Sequence, residues 1–196
     1  MKNILFNTAV EFGPVIFFIG TYLYASFFTA VAVTIGATAV AVGAALLISR
    51  RVAWFPIMSA LGVVTFGGIS LYIENESVFM LYDTLANAVF AILLFGSLYI
   101  NKPALKPLFE HLFALTDQGW RILTRRWALF YLLVTLGFEV MRNFATIDMW
   151  VLYKGSVVVA TTVFGCYQFF LAHRLRIPEE SNNWGLRTKP IIKESK

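Results

Sequence analysis

Cysteine occurs once in the 196 residues, histidine twice, and charged residues reach only 14%. The lone Cys166 excludes an internal disulfide, and within an apolar run it reads as a small packing residue. His111 and His173 lie far apart, with no carboxylate or cysteine at metal-ligand spacing, and neither HExxH nor CxxC occurs. No metal site is therefore expected. There is no glycine loop leading to Lys-Ser/Thr that could cradle phosphate, and no GxSxG elbow that could present a nucleophile. No nucleophile, base and orienting group can be named together, so neither an enzymatic reaction nor a cofactor is expected. The shortage of charge also excludes an ordinary soluble domain, which is about 25% charged and about 45–50% apolar. Here 59% of residues are hydrophobic. A chain this short has too much surface for its volume to hide that excess in a water-soluble core.

The apolar residues come in blocks of roughly 20, the length that crosses a bilayer. Six blocks run over about 9–25, 27–48, 53–73, 78–100, 127–145 and 150–172. The first is interrupted by Glu11, Gly13 and Pro14. Lys2 before an apolar run has the look of a signal peptide, but no small-residue cleavage site precedes a polar region, so it reads as an uncleaved first helix. Charge supports the count. With six spans and both termini cytoplasmic, all 16 basic residues except Arg142 and Lys154 fall on the cytoplasmic side, as the positive-inside rule requires. Five spans would displace only Lys2 from that side, and this alternative stays open. The expected fold is all-α, a polytopic helical membrane protein with one helical domain over 1–177. Beyond it the polar segment 178–196 has no period and is expected to be a disordered cytoplasmic tail. The basic loops set topology, and no aromatic-interleaved basic patch points to nucleic acid.

Two segments carry distinct patterns. In "TAVAVTIGATAVAVGAALL", Ala32 and Gly36 are four apart, as are Ala39 and Gly43, which stacks small residues on one helix face. Close packing inside the monomer is the preferred reading, and a homo-oligomer face is the alternative. Gly67 and Gly68 are also read as a packing point between helices. In "LFEHLFALTDQGWRILTRRWALF", Asp117 is placed to cap a helix starting at Gln118. Trp120, Leu123 and Trp127 recur at helical spacing, with Arg121, Arg125 and Arg126 on other faces. Tryptophan suits the headgroup layer and arginine reaches lipid phosphates, so the stretch reads as an interfacial anchor. Docking of a cytoplasmic partner there is the second reading.

Four charges lie inside apolar blocks: Asp83, Glu139, Arg142 and Lys154. Such residues are costly in hydrocarbon and usually mark a site or a pair. Lys154 is four residues past Trp150, about 6 Å along a helix, close enough to the boundary to snorkel without a partner. Glu139 and Arg142, three apart, can pair. "LYD" at 81–83 and "LYK" at 152–154 open the helices after the two outer turns. That places Asp83 and Lys154 at equivalent heights, so Asp83 and Glu139 are both candidate partners for the lysine.

These segments resemble one family. "EFGPVIFF", "FGGISLYIENESVF", "NKPALKPLF", "LTDQGWRILTRRWALFYLL" and "MWVLYKG" are similar, from Glu11 to Arg174, to the bacterial inner-membrane-spanning septation protein A family, also called the YciB family. Trp127, Trp150 and Lys154 fall on family positions. The chain departs from the pattern at Glu74, where the family has His, and at Met80 and Tyr82, where it has two lysines. Asp83 stands where the family often has an uncharged residue or proline. The resemblance implies a bacterial inner-membrane protein acting in septation and envelope upkeep, through contacts with elongation and division proteins. Membrane lipids are the partners expected from the tryptophans and arginines at 120–127. A small transporter or lipid-handling protein is the competing reading, because such proteins show helix-interior charges and internal repeats. "LYD" and "LYK" would mark a repeat if the hairpins 53–100 and 127–172 are related by duplication.

Overall fold

In a computed structural model, which describes residues 2–49 and 54–189, every apolar block is a helix. The elements are α1 (Lys2–Tyr24), α2 (Phe27–Ser49), α3 (Trp54–Ile73), α4 (Glu76–Tyr99), the short α5 (Leu105–Phe109), α6 (Asp117–Phe144) and α7 (Ile147–Arg174). Apart from α5 they are 20–28 residues long. Among the described residues there is no strand, only three isolated bridges. α4 and α7 are long and apolar enough to cross a bilayer. Arg50 and Arg51, which entered the charge count, lie outside the described residues.

Short polar residues set the helix starts. Ser26 Oγ accepts the Thr29 amide at 3.2 Å, and Asn75 Oδ1 accepts that of Ser77 at 2.9 Å. Thr116 Oγ1 takes the Gly119 amide at 3.1 Å, and Thr146 Oγ1 takes that of Met149 at 3.4 Å. Each satisfies an amide that the first helical turn leaves unpaired. For α6 this differs from expectation: Thr116 is the cap, and Asp117 turns to Lys106, its carboxylate accepting from Nζ at 2.6 Å. The stretch expected to lead into the fifth span is continuous with it, as α6 runs unbroken from Asp117 to Phe144.

The expected single helical domain divides into two compact units, with α4, α6 and α7 contributing to both. Unit 1 comprises Met1–Thr84 and Phe138–Gly155. Its core is aromatic and centred on Trp150, whose ring lies 6.0 Å from Phe18, 6.2 Å from Phe27, 6.5 Å from Phe79 and 6.1 Å from Phe138. Five helices meet there through one side chain each. Most of these contacts are edge-on or tilted, the geometry aromatic pairs prefer. Trp150 is 0% exposed, so its ring fills the core.

Unit 2 comprises Leu85–Gly137 and Ser156–Lys196. Trp120, Leu115, Leu123, Leu171 and Ala172 are buried together, with Phe113, Ile122, Trp127 and Leu175 packed around them. The segment after Pro178, expected to be without structure, is folded as far as Lys189. The Ala114 amide donates to Gly185 O at 3.0 Å, and the Arg187 amide to Leu112 O at 2.8 Å. The Arg187 side chain reaches the Glu110 carbonyl at 2.7 Å and Glu180 at 2.6 Å. Backbone hydrogen bonds carry this docking, so no apolar period announced it. Residues 190–196 lie outside the described residues. At Gly185, φ is +76°, and an added Cβ would stand 3.0 Å from the Ala172 carbonyl oxygen. Gly185→Ala should therefore cost about 1–3 kcal/mol of local stability. Trypsin should then cut at Arg187 faster than in the unsubstituted protein, and equal cleavage rates would show that the docking tolerates a side chain.

Candidate functional site

Lys154 is buried at 9% exposure on the second turn of α7. Its ammonium donates to the Asp83 carboxylate of α4, and both side chains are largely shielded. The same Nζ lies over three rings, 5.0 Å from the centroid of Trp150 and 5.5 Å from those of Phe18 and Phe79. A desolvated ammonium over an aromatic face gains up to about 2 kcal/mol. The lysine thus has a carboxylate and an aromatic cage as partners, and it does not snorkel. Snorkelling requires a free path for the charged head to reach water, and here the packed rings occupy it. Thr84, next to Asp83, is also buried.

The cage was partly legible. Trp150 precedes Lys154 by four residues, and Phe79 precedes Asp83 by four. That spacing puts ring and charge on one helix face. Phe18 carried no such signal; it comes from α1, distant in sequence, and its place follows only from tertiary packing.

Glu139 does not join Lys154. It accepts two hydrogen bonds from the Arg142 guanidinium, one from Nη2 and one from Nε at 3.1 Å. The Asn143 amide adds a third at 2.8 Å. Arg142 also reaches Ser77 Oγ of α4 at 3.4 Å. The four charges within the apolar blocks thus form two separate pairs in unit 1, one buried and caged, the other half-buried. On the same unit the Tyr22 hydroxyl donates to Asp148, tying α1 to α7.

In unit 2 the proposed interfacial residues separate. Trp120 is 1% exposed and belongs to the core, which overturns its reading as a headgroup anchor or partner contact. Its indole is consumed by packing against Leu115, Leu123, Leu171 and Ala172. Trp127 is half-buried and meets Phe164 edge-on at 5.0 Å. Arg121 and Arg125 are exposed, whereas Arg126 is half-buried. Beside Lys106, the Asp117 carboxyl is held below the ordinary carboxylate range, first by their hydrogen bond and then by the ammonium's charge. The pair stabilises above the ordinary value and is lost as pH falls through the lowered one. At 83% exposure of the Asp117 side chain its contribution is small.

The small-residue face of α2 also differs from expectation. Ala32, Gly36 and Ala39 are exposed, and no described atom lies within 4 Å of a Cβ added at Gly36 or Gly43. α2 packs instead through Ala30, Val31, Thr34 and Thr38, which are buried. Gly67 is a close-packing point: an added Cβ would meet Ile35 at 2.9 Å and Val31 at 3.2 Å. Gly68 is exposed with nothing near it.

Residues 6–177 match the family described as intracellular septation protein A. The chain belongs to that family. Among its relatives, the inner membrane-spanning protein YciB of Afipia carboxidovorans is 34% identical over 180 residues, covering 89% of this chain and 88% of that protein. The YciB protein of Brucella anthropi is 33% identical, covering 88% and 77%. That of Brucella melitensis biotype 1 is 31% identical, covering 91% and 97%. No solved structure matches.

Glu74, Met80 and Tyr82 each have a defined place in the structure. Glu74 adopts φ +52° in the turn before α4. Met80 is buried. Tyr82 lies against Gly62, where an added Cβ would be 2.3 Å from its ring. Its hydroxyl donates to Ser59 O at 3.0 Å. α3 and α4 are thus joined by a ring on a glycine.

Proposed function

We propose that this chain is a multi-pass inner-membrane protein of six spans with cytoplasmic termini, working as a non-enzymatic scaffold in septation and envelope upkeep. It would do so by contacting membrane proteins of division and elongation. Membership of the septation protein A family supports the setting. The observation that carries the scaffold reading is the use of intramembrane charge. Both basic residues within the apolar blocks, Lys154 and Arg142, are bound by carboxylates of the same unit. The Lys154–Asp83 pair fixes α7 against α4, and the Arg142–Glu139 pair holds its charge within α6; a transport path needs such a charge free to meet a passing solute.

In-cell photocrosslinking tests the reading. Trp120 and Lys154 are buried, so the probe belongs at exposed Arg125. Capture of named division or elongation proteins is the expected result. A reconstituted protein that moves solute across liposomes, with the flux abolished by Lys154→Met, would replace the scaffold with a transporter. Reporters fused at each end check topology: both should report the cytoplasm, and opposite sides would mean five spans.

A further inference from the structure

Tyr167, Phe170, Leu171 and Arg174 fall at i, i+3, i+4 and i+7 on α7, and so share one face. With Arg126 of α6 and Leu175 they line an open cavity of about 360 Å³. That is within the size range of small-molecule sites, about 300–1,000 Å³. Arg126 is fixed from one side. Its guanidinium carbon lies 5.6 Å over the Tyr167 ring, and Nη1 donates to Gln168 Oε1 at 3.4 Å. Gln168 is buried and anchored in turn by its amide to Phe164 O at 3.1 Å. Arg174 stands in the last turn of α7.

Lys106, Arg142, Lys154 and Arg187 each have a carboxylate partner. Arg126 and Arg174 have none among the described residues. The cavity thus joins two guanidinium groups without an anion to a wall of Phe170, Leu171 and Leu175. Guanidinium matches phosphate oxygens in a two-pronged geometry, and the apolar wall suits a hydrocarbon chain. Basic pockets between membrane helices on the cytoplasmic side are suited to anionic headgroups. We infer that this cavity binds the phosphodiester of an anionic phospholipid, with an acyl chain along Phe170 and Leu171. Inorganic phosphate shares the anion but has nothing to set against the apolar wall. The inference rests on α6 and α7 crossing the membrane with this end at headgroup level.

The test is native mass spectrometry of the full-length protein in detergent, titrated with phosphatidylglycerol or phosphatidylethanolamine. Phosphatidylglycerol should be retained in preference. Arg174→Gln, on an exposed turn, should weaken retention several-fold without affecting folding, and Arg126→Gln with Arg174→Gln by roughly tenfold or more. Lys102→Gln with Lys189→Gln removes the same charge from exposed sites outside the cavity and should leave retention unchanged. Equal loss in that control, no preference between the lipids, or competition by millimolar inorganic phosphate would overturn the site. The native Cys166, about 12 Å before Arg174 along the helix, checks the span separately with a membrane-impermeant maleimide in vesicles. A protected thiol with no lipid preference removes the lipid site alone, whereas a reactive thiol removes the span beneath it.

Discussion

Asp83→Ala should lower the level of folded protein in the membrane several-fold, and adding Lys154→Met should restore part of it. The single change leaves an ammonium buried without its carboxylate. Breaking a buried pair by removing one partner costs about 3–5 kcal/mol, and losses of even about 1–2 kcal/mol alter abundance several-fold. The second change removes the stranded charge and keeps an unbranched chain to fill the space between Phe18, Phe79 and Trp150. Immunoblotting of membrane fractions reads the outcome, and strictly additive losses would mean that the two residues do not act as a pair. The aromatic cage adds a sharper expectation. A simple ion pair tolerates exchange, so Asp83→Lys with Lys154→Asp would be expected to recover. Here the ring faces carry partial negative charge, which attracts an ammonium and disfavours a carboxylate. The exchanged protein should stay well below the Lys154→Met double variant. Full recovery would show that the rings pack against Lys154 without binding its charge.

The caged lysine also shows how far the sequence could be read. Block length and spacing located α2, α3, α4 and α7 to within a few residues, since an apolar run of about 20 has few alternatives to a helix in lipid. α1, from Lys2, and α6, from Asp117, began well outside their blocks; the polar first turns that extend α6 carry charge. Opposite charges at matching positions after two turns offered the Asp83–Lys154 pair, but left Glu139 as an equal candidate. Choosing between them needed the rotation of three helices about their axes, which depends on packing. The same limit explains the tryptophans. Their spacing put Trp120 and Trp127 on one face but could not say which neighbours that face meets. An exposed amphipathic helix on a headgroup surface and one docked on its own chain have the same pattern. In the C-terminal segment the partner was missing from view altogether. Gly185, Leu186 and Arg187 pair with residues 110–114, a register that polar composition does not encode.

Trp120→Ala decides between those two readings of the amphipathic stretch. With the ring 1% exposed among Leu115, Leu123, Leu171 and Ala172, its removal leaves a cavity, and buried Trp-to-Ala changes cost about 3–5 kcal/mol. The purified protein should therefore melt markedly lower, while Arg125→Ala, on an exposed side chain, should change stability by no more than about 0.5 kcal/mol. A headgroup anchor would behave otherwise: melting in detergent would be unchanged and membrane retention would fall. The loss should also reach the C-terminal segment. Ala172 belongs to the Trp120 cluster and is the residue against which Gly185 sits. If Trp120→Ala loosens that floor, trypsin should reach Arg187 sooner, as expected for Gly185→Ala. The two changes share one contact, so the double variant should lose less than the sum of the singles, since residues coupled through a common neighbour are not additive. Full additivity would mean that the segment after Pro178 docks independently of the core beneath it.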